Sequence, residues 1–203
     1  MQSNNTTPDF PPFISFTLTN ACNLRCRMCG QWSEEGYVFD GTVGIRPRMT
    51  VKDWKRLVDE IARHKIRFVL VRGGEPFLYK GIMEVLQYIN SKQIFLSIDT
   101  NGTVLERYAE ELSRLDKMHI TFSVDGTEEV HDDVRKLKGS FATIKENIAL
   151  LQGLEKKHNN TISKSICFTI SKHNYHVLGQ MPDVARSMGI SSMKLGVRCS
   201  RAD

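Results

Sequence analysis

The chain has 203 residues, 40% hydrophobic and 25% charged, with a formal net charge of +5. That length suits one well-buried domain rather than two, and no stretch reaches the roughly 18 uninterrupted apolar residues of a membrane span. Lys and Arg interleave with Asp and Glu instead of forming a basic stripe with aromatics, which argues against a nucleic-acid surface; the five cysteines, an odd number, exclude a complete disulfide framework.

The N-terminus, Met1 to Asp9, is polar and lacks the basic, apolar and small-residue regions of a secretory signal. Residues 1–12 are therefore expected to form a flexible segment, and the location to be cytoplasmic. Phe13 to Thr19 is β-branched and aromatic and reads as a strand. A cysteine-containing loop follows, then an irregular excursion from Gln31 to Arg48 that is either a lid or a surface loop. Thr50, with Asp53 three residues on, opens a helix whose apolar positions are Trp54, Leu57, Val58 and Ile61.

The same alternation then repeats. Arg67 to Val71 is the second strand, and Ile82, Val85, Leu86 and Ile89 mark its helix. Ile94 to Ile98 is the third strand, followed by a helix carrying Leu105, Tyr108, Ala109 and Leu112. Met118 to Val124 is the fourth strand, and Ile144, Ile148 and Leu151 belong to the fourth helix. Ile166 to Ile170 is the fifth strand. Its helix spans about Leu178 to Met188, with Pro182 tolerable only in the first turn and Gly189 as the stop. Met193 to Val197 is the sixth strand.

Strands alternating with helices predict right-handed βαβ crossovers, hence an α/β fold with a parallel sheet. Periodicity does not choose between an open doubly wound sheet and a full or partial barrel. The unusual residues all fall after strands or near their carboxyl ends: the cysteine loop, Gly73-Gly74-Glu75-Pro76, Thr100-Asn101-Gly102, Ser123-Val124-Asp125-Gly126, Ser171 to Asn174, and Leu195-Gly196. In a parallel sheet these strand ends share one edge, where sites are built, so the loops predict a single site.

Cys22, Cys26 and Cys29 have spacing three and then two. A cubane cluster takes thiolate ligands, and three of them leave one iron open to another ligand. Structural zinc would want a closed set of four. A CxxC redox pair would use Cys26 and Cys29 and leave Cys22 without a role. Packing of small thiols suits poorly a loop that contains Asn23, Arg25 and Arg27. Cys167 lies among apolar strand residues and reads as core, and Cys199 as a loop thiol.

The CxxxCxxC loop after the first strand resembles the radical S-adenosylmethionine superfamily, and the resemblance runs from Phe13 to Val197. It implies a partial (βα)6, TIM-like barrel of parallel strands, here truncated after strand six. The core domain would occupy residues 13–203, with the C-terminal helix and any auxiliary-cluster domain absent, as in a piece of a longer protein or a shortened version. It implies a [4Fe–4S] cluster on Cys22, Cys26 and Cys29 whose open iron chelates S-adenosylmethionine. One electron then breaks a carbon–sulfur bond to give methionine and a 5′-deoxyadenosyl radical that abstracts hydrogen from substrate.

The resemblance extends to the other loops. Gly73-Gly74-Glu75-Pro76 matches the family's GGEP motif, a glycine pair for close backbone approach with carbonyl or carboxylate acceptors for the methionine ammonium. Ser123 occupies a fourth-strand position that contacts the cofactor's amino-acid or ribose portion, whereas Asp125 reads as a turn former. His131-Asp132 to Arg135 with Gly139-Ser140-Phe141 is similar to the HDxxR…GSF stretch of the peptide-modifying, SPASM-type branch, where Arg135 would bind the methionine carboxylate bidentately. Met28 stands where the family often has an aromatic near adenine. Thr169 and Leu195 stand where it contacts ribose or adenine.

The implied substrate is a peptide or protein side chain, with a small molecule such as a cofactor precursor as the rival, and the implied electron donor is a flavodoxin or ferredoxin. An electron-transfer or metal-binding module without radical chemistry is the alternative of another class, but it would need neither the GGEP loop nor Ser123 and Arg135.

Overall fold

A computed structural model describes residues 11–45 and 49–197. The segment 1–10, most of the expected flexible N-terminus, and Cys199 lie outside the described residues.

The strands are β1 (Ile14–Thr17), β2 (Phe68–Arg72), β3 (Phe95–Thr100), β4 (Met118–Ser123), β5 (Ser163–Ile170) and β6 (Met193–Val197). They form one sheet in the order β1-β2-β3-β4-β5-β6, every pair parallel. A doubly wound sheet reverses its strand order at a switch point. Here the order never reverses, so successive right-handed crossovers lay the helices on one face, as in a βα barrel. The sheet does not close, and the fold is an α/β partial barrel.

The helices are α1 (Val51–Arg63), α2 (Ile82–Ser91), α3 (Ala109–Leu112), α4 (Glu128–Arg135), α5 (Ser140–His158) and α6 (Met181–Ser187). α1 begins with the expected capping box: Asp53 N–H donates to Thr50 Oγ1 at 3.3 Å, and Thr50 N–H donates to Asp53 Oδ2 at 2.9 Å. Such a cap is worth about 1 kcal/mol. α3 is shorter than its sequence pattern implies, because Leu105–Arg107 winds as a tight 3-10 turn first. A similar turn over Tyr175–Gln180 precedes α6, where Pro182 sits in the first turn, and Gly189 leaves the helix at φ +67°. α4 is an addition to the expected elements. Its eight residues carry a mostly charged sequence, and its apolar face is little more than Val130 and Val134.

Strand residues alternate between two environments. Val69, Val71, Leu96, Ile98, Ile120, Phe122, Ile166 and Phe168 are all fully buried in the core cluster that also contains the apolar faces of α1, α2 and α5. Phe16 joins them, its ring centroid 4.8 Å from that of Trp54 on α1. The other sheet face carries Thr17, Arg72, Asp99, Thr121, Ser123, Cys167 and Thr169. Register puts Thr17 beside Arg72, Asp99 beside Thr121, and Ser123 beside Cys167. The two-residue period of a strand thus separates an apolar, helix-covered face from a polar, open one.

Candidate active site at the carboxyl edge of the sheet

The polar face and the loops at its carboxyl edge enclose a cavity of about 470 Å³, within the usual size of a small-molecule site. Its wall includes Cys22, Met28, Cys26, Cys29, Gly73, Gly74, Ser123, Arg135 and Thr169. Nine of the eleven expected site residues therefore converge. The remaining two, Glu75 and Leu195, do not line it.

The cysteine loop is held from several sides. Arg25 lies over the Trp32 ring, 3.9 Å from its centroid, and donates to the carbonyls of Cys22 and Leu24 at 3.0 and 2.9 Å. Trp32 Nε1–H donates to the Asn20 carbonyl at 2.6 Å. Arg27 forks onto the Asp133 carboxylate at 2.6 and 3.1 Å, and its backbone N–H donates to the Val134 carbonyl at 2.9 Å. The polar residues that make this loop a poor core segment are thus the ones that wrap it.

Each sulfur receives N–H donors. Leu24 N–H lies 3.5 Å and Asn101 Nδ2 3.9 Å from Cys22 Sγ. Gln31 and Trp32 N–H lie 3.4 and 3.3 Å from Cys29 Sγ. Arg135 Nη1 lies 3.6 Å from Cys26 Sγ. A neutral thiol is a weak acceptor, whereas donors aimed at sulfur are what a cluster thiolate uses. Burial pushes the Cys22 thiol up to about 11 and also raises Cys26, so these two thiols hold their protons until coordination displaces them. Among the described residues no set of three His, Cys, Asp or Glu converges on a single ion.

The glycine pair is explained by the protein's own backbone. A Cβ on Gly73 would lie 2.2 Å from the Thr19 carbonyl oxygen, and one on Gly74 would lie 2.2 Å from that of Ala21. Gly74 and Glu75 N–H donate to those two carbonyls at 2.8 and 2.7 Å. The expected close approach is therefore to the start of the cysteine loop.

Glu75 corrects its expected role as a ligand acceptor. It is fully buried, and its oxygens already accept from Phe77 N–H (3.2 Å), Thr100 Oγ1 (2.8 Å) and Asn101 N–H (2.7 Å). Burial raises its pKa to about 7, against the lowering effect of those three donors. It pins the β2 loop to the β3 loop, where Asn101 also reaches Asn23 at 2.9 Å. The sequence points to Asn101 only as part of the loop after the third strand, and gives it no role of its own.

Arg135 also departs from expectation. Its guanidinium forms a buried ion pair with Asp125. Burial works against its charge, but Asp125 and Cys26 outweigh that and hold its pKa above the ordinary value. Asp125 is correspondingly more than a turn former, since its Oδ1 also accepts Thr169 N–H at 2.7 Å. The rest of the HDxxR…GSF stretch has local duties as well. His131 Nδ1 accepts Asp125 N–H at 3.1 Å, and burial lowers its pKa to about 3. Asp132 accepts from Ser140 Oγ and Phe141 N–H, both at 2.9 Å, and so caps α5.

Leu195 is not brought to the site. It pairs in register with Phe168, which faces the helices, and is 55% exposed on that side. The reverse holds for Cys167, which register places beside Ser123 on the cavity wall rather than in the core. The Gln31 excursion is a compact series of turns through residue 45, with Trp32 and Val38 buried and Tyr37 on the cavity wall.

Comparisons with known proteins agree with this geometry. The chain is 29% identical over 167 residues to Fe-coproporphyrin III synthase of Methanosarcina barkeri, covering 82% of this chain and 39% of that protein. It is 29% identical over 182 residues to the subtilosin biosynthesis protein AlbA of Bacillus subtilis, covering 88% and 38%. Among solved structures, Streptococcus suis SuiB bound to S-adenosylmethionine superposes with a TM-score of 0.76 at 16% identity, covering 94% of this chain and 41% of that one. For anSMEcpe with bound AdoMet the TM-score is 0.73 at 18% identity, covering 92% and 52%. The chain thus spans about two fifths of the curated relatives it matches. Residues 16–177 match the Radical SAM superfamily, so this chain belongs to that family, whose members use a [4Fe–4S] cluster and S-adenosylmethionine.

Proposed function

We propose that this chain is the catalytic core of a radical S-adenosylmethionine enzyme that holds its cluster on Cys22, Cys26 and Cys29 and modifies a peptide or protein side chain. The observation that carries the first part is the set of N–H donors directed at all three sulfurs on the wall of one cavity. When bound, the cluster supplies the electron that splits S-adenosylmethionine into methionine and a 5′-deoxyadenosyl radical.

The chain's own residues bind and orient. The Gly73-Gly74 backbone, held against Thr19–Ala21, presents a rigid ledge beside the cysteines for the amino-acid end of the cofactor. Ser123 and Thr169, on the strands opposite, offer hydroxyls for the amino-acid or ribose portion, and Met28 supplies an apolar surface for adenine. Glu75 acts from behind by holding the ledge. A low-potential carrier such as flavodoxin or ferredoxin is the proposed electron donor.

The peptide reading is supported by neighbours that bind peptides: SuiB bound to precursor peptide SuiA, and anSMEcpe bound to AdoMet and a peptide. The similarity to Fe-coproporphyrin III synthase favours a second reading, a cofactor-precursor substrate. Anaerobic reconstitution with iron and sulfide followed by reduction should yield 5′-deoxyadenosine, and Cys26→Ala should abolish it. A colourless protein carrying stoichiometric zinc, or a Cys26→Ala variant active at the parent rate, would overturn the assignment. Faster release of 5′-deoxyadenosine with peptide than with a tetrapyrrole precursor would support the first substrate class, and the reverse would favour the second.

A further inference from the structure

The donors on Cys22 and Cys29 are neutral amides, whereas the donor on Cys26 is a charged guanidinium. Cys26 is also the most buried of the three thiols. Arg135 bridges it to Asp125, with Nη1 on the sulfur and Nη2 on Oδ2. The carboxylate is in turn fixed by Thr169 N–H at 2.7 Å, and the Asp125 backbone is fixed by His131 Nδ1 at 3.1 Å and Asn174 Nδ2 at 3.1 Å. Elements β4, α4, β5 and the loop after it therefore combine to hold one cation against one sulfur.

We infer that the Asp125–Arg135 pair sets the reduction potential of the cluster through the Cys26 sulfur. Arg135 on this view is a positioning residue for Cys26 rather than a clamp on the cofactor's carboxylate. The inference rests on the reading of Cys26 as a cluster ligand. Reduction adds one negative charge to the cluster, and hydrogen bonds to its sulfurs, with burial, govern how readily that charge is accepted. A charge-assisted N–H···S contact stabilises the reduced form more than a neutral one, and because Cys26 and Arg135 are both buried the contact is less screened than one at the surface. Asp125 keeps the guanidinium from being buried alone, which would be costly. The guanidinium lies between carboxylate and sulfur, so its effect on the sulfur outweighs that of the carboxylate behind it.

The test is a redox titration of the reconstituted protein followed by electron paramagnetic resonance, without S-adenosylmethionine, on the parent, Arg135→Gln and the double variant Asp125→Asn/Arg135→Gln. The double variant leaves no unpaired buried charge and keeps an acceptor for Thr169 N–H. In both variants the reduced-to-oxidised ratio at a fixed ambient potential should fall at least tenfold, a shift of about 59 mV for one electron. Parent-like potentials with weakened S-adenosylmethionine binding would overturn the inference and return Arg135 to the carboxylate. Loss of the cluster from both folded variants would also overturn it, since Arg135 would then serve assembly. Failure of the parent to take up a cluster would instead refute the ligand assignment itself.

Discussion

Gly74→Ala isolates the contact on which the site's geometry depends. The added Cβ would lie 2.2 Å from the Ala21 carbonyl oxygen, 2.6 Å from that of Asn20 and 2.7 Å from the Ala21 carbonyl carbon. All three are backbone atoms, so no side chain can rotate away. Relief requires the β2 loop to retreat from the cysteine loop, which breaks the 2.8 and 2.7 Å bonds from Gly74 and Glu75 N–H. Overpacking of this kind costs about 1–3 kcal/mol, and each lost hydrogen bond about 0.5–1.5. A loss of about 2–6 kcal/mol is expected, a large share of the roughly 5–15 kcal/mol that holds a domain together. Gly153 in α5 is the control, because a Cβ there meets nothing within 4 Å. Gly153→Ala should gain about 1 kcal/mol, the usual helix-interior difference. Urea unfolding of both variants, with iron content after reconstitution, measures the contrast. A Gly74→Ala variant within about 0.5 kcal/mol of the parent, as ordinary surface changes are, would refute the packing argument.

Three further outcomes follow from the same geometry. Glu75 has a pKa of about 7 against 4.5 for the free side chain; its contribution to stability is thus full below pH 4.5 and lost as pH rises through 7. The unfolding free energy of the parent minus that of Glu75→Gln should fall by about 3 kcal/mol over that window, whereas a flat difference would mean that the carboxyl is not desolvated; the opposing titration of His131 cancels in the subtraction. Trp32→Ala removes a buried ring, the Arg25 stack and the bond to Asn20; it should cost about 3–5 kcal/mol and lower cluster occupancy, and an unchanged iron content would show that the loop does not need this brace. Leu195→Ala should leave S-adenosylmethionine affinity within about twofold, under 0.5 kcal/mol, because the side chain faces away from the cavity; a tenfold loss by calorimetry would contradict the register.

Periodicity located every strand, because a buried parallel sheet writes its helix-facing residues as short β-branched and aromatic runs. It also located α1 and α2 closely, because their apolar faces repeat over several turns against a large core. It failed on α4, whose eight residues bury only a narrow face, and it overextended α3, whose turns tighten around Leu105. Cys167 and Leu195 show a sharper limit. Each lies in a run that reads as strand, and only the pairing register tells which face each side chain takes. A shift of one residue exchanges the faces.

The sequence by itself determined that three cysteines, a glycine pair and a set of polar strand ends meet on one edge of a parallel sheet, since the chemistry of those residues and the direction of the strands leave them no other place. The tertiary structure decided what each of them touches. Gly73 and Gly74 yield to the cysteine loop's backbone, Glu75 to the β3 loop, and Arg135 to Asp125 and the sulfur of Cys26. Apart from Asp125, ten positions before Arg135, those partners lie from 25 to 109 positions away along the chain, so spacing carries no trace of them. A buried glutamate or arginine takes whichever donors and acceptors the packed core brings within about 3 Å, and only the folded chain establishes which those are.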